Sequence, residues 1–139
     1  MRIEQEVLAE IRGLRERVRH ASGVLVATAD GLLIAHDTQG LEPEGIAAMS
    51  ATYLGISQRL AHTVARGEFE EAVTRGRSGY VATFAAGDSA VLTVLAGPNL
   101  NVGRLHLEAR PAATRVGEIV ARATVRRQPT GPDHQYERR

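Results

Sequence analysis

The sequence predicts an α+β sandwich: a small five-stranded sheet with helices on both faces, in the order α-ββ-α-βββ-α. Three observations carry this. Asp30-Gly31 sits between two short apolar runs, Val24 to Thr28 and Leu32 to His36, and an Asp-Gly pair suits a tight primed turn between antiparallel strands. Three long segments carry apolar residues at helical spacing. Three further strand-like runs separate the second of these segments from the third.

The first helix is predicted from Arg2 to Arg19. Ile3, Val7, Leu8, Ile11, Leu14 and Val18 form its apolar face, and Glu and Arg fill the other. Ser22-Gly23 ends it and opens the hairpin. The loop TQGLEPEG leads to a second helix from Glu44 to Arg66, with Pro43 suited to its first turn and Glu42 and Glu44 to its positive end. At about 100° per residue its side chains sort into three stripes. Ile46, Met49, Tyr53, Ile56, Leu60 and Val64 form a large apolar stripe, expected to face the sheet. Ala47, Ala51, Leu54, Gln58, Ala61 and Ala65 form a stripe of mostly small residues, expected to meet another helix. Thr52, Gly55, Arg59, His62, Thr63 and Arg66 form a polar, basic stripe, expected to face outward.

Glu68 to Arg75 reads as an edge strand, because three Glu residues guard it against random pairing, with Phe69 and Val73 on one face. Arg77 lies at the following hairpin tip. Tyr80 to Ala86 and Ser89 to Ala96 are strands joined at Gly87-Asp88, and SAVLTVLA is apolar enough to be central and covered on both faces. The third helix starts near Asn101, with Leu105, Ala109, Ala112, Val116, Ile119 and Ala123 on one face. Pro111 lies within it and removes a backbone donor, and because the apolar stripe keeps its phase across Pro111 a kink rather than a break is expected. The domain is placed at residues 1–125. Residues 126–139, RRQPTGPDHQYERR, lack apolar periodicity and are expected to form a disordered tail.

Composition removes several chemistries. There is no Cys, hence no thiolate nucleophile, disulfide or Cys-based zinc site. All 17 basic residues are Arg, so neither a Walker-type phosphate loop nor a Schiff-base lysine can form. Aromatics make up only 4% of the chain, so the core must be aliphatic, and the net charge of +1 gives no general pull toward nucleic acid or an anionic membrane. No secretory signal or membrane-spanning run is seen, and a cytoplasmic location is expected. The five His residues show no paired ligand spacing. Ser89, His36 and Asp88 make a triad only on paper, since no nucleophile elbow is present. No catalytic residue, cofactor or metal is expected.

The Asp-Gly hairpin, the GYVATFAAGDSAVLTVLAG hairpin and the NLNVGRLHLEAR helix start together resemble the roadblock/dynein-light-chain-like domains, over about Ile3 to Ala123. They are most similar to bacterial members that act with small Ras-like GTPases, some encoded beside a sensor histidine kinase. The resemblance implies an antiparallel sheet with the first and third helices on one face and the second on the other. It also implies a homodimer whose third strands pair edge to edge and whose second helices lie side by side. On this basis Ala47, Ala51, Leu54, Gln58, Ala61, Phe69, Glu71 and Val73 are expected at the dimer interface, and Arg59, His62 and Arg66 at the partner surface. The expected function is a non-enzymatic homodimeric regulator or scaffold for such a GTPase. A small-molecule sensor of PAS- or GAF-like architecture is the alternative, and it would require a lined cavity.

Overall fold

A computed structural model describes residues 2–127. Its elements are α1 (Arg2–Arg17), β1 (Ala21–Thr28), β2 (Leu33–Asp37), α2 (Pro43–Thr63), β3 (Glu71–Gly76), β4 (Gly79–Ala86), β5 (Ala90–Ala96) and α3 (Val102–Arg127). The strands form one sheet in the order β2-β1-β5-β4-β3, and every neighbouring pair is antiparallel. The hairpins β1-β2 and β4-β5 therefore meet through β1 and β5, which puts β5 at the centre, and β2 and β3 are the edges.

Side chains alternate across the sheet, and this alternation sorts the core into two layers. Val24 and Val26 of β1, Phe84 of β4, and Leu92 and Val94 of β5 face α1 and α3. There they meet Val7, Ile11, Leu14, Leu105, Ala109, Ala112 and Val116. Leu25 and Ala27 of β1 and Val91 of β5 face α2, against Ala47 and Leu54. The helices α1 and α3 run antiparallel and are laced by exposed ion pairs: Arg17 to Glu108, Arg115 to Glu10 and Arg122 to Glu6. Such pairs contribute at most about 1 kcal/mol each, so the buried aliphatic residues hold this layer together.

Two local expectations change, and a third is extended. Asp30-Gly31 does not form a two-residue turn. The Thr28 N–H donates to Leu32 O at 2.8 Å, so the loop has three residues, and Gly31 at φ +98° takes the left-handed position that such loops need. The edge strand β3 starts at Glu71, not Glu68, so Phe69 precedes it. Phe69 packs on the α2 side and Val73 on the α1/α3 side, and the two do not share a face. Finally, α3 continues through Pro111 to Arg127. Pro111 is exposed, as is Leu107 one turn earlier, whose carbonyl a proline at this position cannot engage, and buried residues on both sides of it dock the helix on the sheet. The helix thus runs two residues beyond the predicted domain end. The rest of the predicted tail, 128–139, lies outside the described residues.

At Gly117, α3 comes into close contact with the β4-β5 turn. A Cβ there would stand 2.7 Å from the Gly87 nitrogen and 2.8 Å from the Ala86 carbonyl carbon, so the β4-β5 turn seats directly on the helix backbone.

Candidate interaction surface

The helix α2 begins with Pro43 in its first turn, where the missing N–H is not needed, and its N-cap residue Glu42 makes no side-chain capping bond. It ends in a Schellman motif. The Arg66 N–H donates to Ala61 O at 2.7 Å, the Ala65 N–H donates to His62 O at 3.0 Å, and Ala65 adopts φ +59°. Ala65 and Arg66 therefore lie in the cap, beyond the helical stripes that their spacing implied.

The helix is rolled relative to the sequence expectation. Ala47, Ser50, Ala51 and Leu54 are its buried residues, and they rest on the chain's own sheet. The small stripe is the core stripe here. The sheet face beneath already carries Leu25, Ala27 and Val91, and small side chains let the helix backbone settle close to it. Ala47, Ala51 and Leu54 are thus not available to a second chain. Gln58 and Ala61 are half-buried. Most of the large apolar stripe faces out: Met49 is 66% exposed, Ile56 61% and Leu60 63%, with Val64 also exposed, while Tyr53 is half-buried and Ile46 packs partly against the sheet core.

This apolar face borders an uncovered part of the sheet. A groove of about 270 Å³ runs between Ile46, Met49 and Tyr53 on the helix and Val81 and Leu95 on β4 and β5. Its polar groups are hydroxyls. The Thr93 hydroxyl donates to Ser50 Oγ at 2.8 Å beneath the helix, and the Thr74 hydroxyl of β3 reaches Tyr53 OH at 3.4 Å.

At the sheet edge, β3 hydrogen-bonds only to β4, and its outer side has no strand partner. The Glu71 carboxylate turns away from that edge toward α3. Arg110 donates to it twice, Nε to Oε1 at 2.9 Å and Nη2 to Oε2 at 2.6 Å, and His106 Nε2 stands 3.3 Å away. The Arg110 hydrogen bonds hold the Glu71 carboxyl below its ordinary pKa. Partial burial opposes this shift, while the charges of His106 and Arg110 add to it. As a dimer-interface residue Glu71 can offer only its backbone. No local pattern announces this clamp, because its partners are 39 residues apart in the chain.

Arg59, His62 and Arg66 are all exposed. His62 Nε2 lies 3.4 Å from Glu68 Oε2, and Arg66 Nη1 donates to Val64 O at 3.1 Å. Ser89 and Asp88 sit at the β4-β5 turn, whereas His36 is on the edge strand β2, paired across from Leu25 and bonded to Thr38, so the paper triad does not assemble. Among the described residues no group of three or more His, Asp or Glu side chains could hold a metal ion, and no helix is long and apolar enough to cross a membrane.

Fold and surface together define an α/β sandwich with two helices on one face of its sheet, one on the other, and an apolar face turned to solvent. The chain belongs to the Roadblock/LC7 domain family, which it matches over residues 7–96. Solved structures agree. It is similar to an MglB in a tetrameric arrangement (19% identity, 87% of this chain and 92% of that one, TM-score 0.80). It is also similar to Myxococcus xanthus MglB (19%, 85% and 90%, TM-score 0.78) and to a Roadblock/LC7 domain from Streptomyces avermitilis (22%, 84% and 96%, TM-score 0.73). No curated protein matches. The PAS- or GAF-like alternative finds no support in these comparisons.

Proposed function

We propose that this chain is a non-catalytic, homodimeric regulator or scaffold that binds a small Ras-like GTPase in a bacterial signalling system. The observation that carries the dimer is the outward apolar face of α2 beside the uncovered groove. A contiguous apolar patch of this kind on a soluble domain marks an association surface. A second copy fits it. Its own α2 offers the same Met49, Tyr53, Ile56 and Leu60, and such a self-complementary patch closes with two-fold symmetry. The open side of β3, around Glu71 and Val73, supplies backbone pairing at the same boundary. The interface proposed from sequence is thereby redrawn on the large stripe, with Gln58 and Ala61 beside it.

Pairing of two α2 helices would bring two copies of Arg59, His62 and Arg66 onto one surface. Guanidinium groups suit acidic partner residues, because the planar fork can hold a carboxylate through two hydrogen bonds. Family membership supports a GTPase as that partner and a regulatory rather than a catalytic role.

Light scattering on the full chain should give a dimer at micromolar concentration, and Ile56→Asp with Leu60→Asp should give a folded monomer. Calorimetric titration with a GTPase encoded nearby should show binding that weakens, and loses its salt dependence, on charge reversal at Arg59 and Arg66. A wild-type monomer would overturn the dimer. A dimer whose GTPase affinity ignores both arginines would overturn the partner surface.

A further inference from the structure

The opposite face of the molecule carries a second feature, independent of the α2 surface. Where α1 ends and α3 begins, an open cleft of about 540 Å³ is lined by Arg17, Arg19, His20, Asn99, Asn101 and Arg104. No carboxylate among the described residues lines it, but Glu108 binds two of the lining arginines. Arg17 Nε donates to Glu108 Oε1 at 2.8 Å, and Arg104 Nη2 lies 3.2 Å from Glu108 Oε2. One carboxylate thus orients two guanidiniums and neutralises only one of their charges. Arg19 has no hydrogen bond or ion pair among the described residues.

The cleft is pinned by backbone contacts. His20 occupies the left-handed region at φ +72°, and its carbonyl accepts from the Gly97 N–H at 3.0 Å, which ties the end of α1 to the end of β5. Asn101 caps α3 by accepting from the Arg104 N–H at 3.0 Å, so Arg104 starts from a fixed backbone position. The positive end of the α3 dipole adds to the local potential.

We propose that this cleft is a binding site for a small, soluble ligand carrying adjacent phosphate groups. Three arginines line one concavity, two of them sharing Glu108 and the third, Arg19, without an ion pair among the described residues, and two carboxamides can donate alongside them. Guanidinium forks match phosphate oxygens in pairs. The charged side chains of the lining are all cationic, so the recognised part is the polyanion. A concave site favours a compact ligand over a flat anionic surface.

The test uses the full chain and inorganic pyrophosphate as probe, followed by calorimetry and by amide shifts of His20 and Gly103. Saturable binding at one site per chain is expected. Arg19→Gln and Arg104→Gln should each weaken it about tenfold, the scale of one lost charge-assisted contact. Both variants should keep the wild-type melting curve, and Arg59→Gln on α2 should bind as wild type. No saturation at millimolar pyrophosphate, or equal weakening by Arg59→Gln, would overturn the site. So would polyglutamate binding as tightly as pyrophosphate. Binding to phosphatidylserine vesicles without any response to pyrophosphate would reject the soluble ligand in favour of a lipid surface.

Discussion

Ala65 occupies a backbone conformation that costs an L-residue about 1–2 kcal/mol and costs glycine almost nothing. It has this conformation because the Schellman hydrogen bonds at the end of α2 require it. Ala65→Gly should therefore stabilise the fold, by about 0.5–1 kcal/mol once the greater freedom of glycine in the unfolded chain is subtracted. A melting temperature raised by a few degrees would show it. Glu71 makes a second residue-scale case. Its carboxyl is held below the ordinary value of 4.5, so folding favours its ionised form. The stabilisation is fully present above the unfolded pKa and disappears as pH falls through the lower folded one. Glu71→Gln should be less stable than wild type near neutral pH, and the gap should close in the acid range below about pH 4.5. Denaturant melts of both proteins across pH 2 to 7 would measure this. A gap that is constant with pH would mean that shape, rather than charge, is what Glu71 contributes.

At the scale of elements, α2 shows where periodicity stops being informative. Its large and small apolar stripes were both legible as stripes. Which of them faced the sheet was not, because an amphipathic pattern records that a face is covered and not what covers it. The structure places Ala51 8% exposed on the chain's own sheet, with its Cβ 3.8 Å from where a Cβ on Gly31 would stand. Ala51→Arg should accordingly cost folding stability, about 1–3 kcal/mol from overpacking alone. Its signature is a lowered denaturation midpoint even in a monomeric background such as Ile56→Asp with Leu60→Asp. An unchanged midpoint would return the small stripe to the interface. Pro111 is the converse case in α3. Proline removes a backbone donor, but the apolar stripe already keeps its phase across it in the sequence, and packing of Ala109, Ala112, Ala113 and Val116 carries the helix through.

For the whole molecule, the order of elements, the edge character of β3 and the central, doubly covered β5 all follow from local information: turn residues, run lengths and alternation. Family membership followed from the same pattern of strands and turns, now matched over residues 7–96. The roll of α2 about its axis, the Glu71–Arg110–His106 clamp, the contact of Gly117 with the β4-β5 turn and the arginine cleft were decided only by tertiary structure. The physical reason is common to all four. Each depends on groups brought together across long stretches of chain, or on a choice between two faces that satisfy local burial equally well. Hydrophobic periodicity is a property of one segment and is set by its own residues. Which segment lies against it is set by the close packing of everything else.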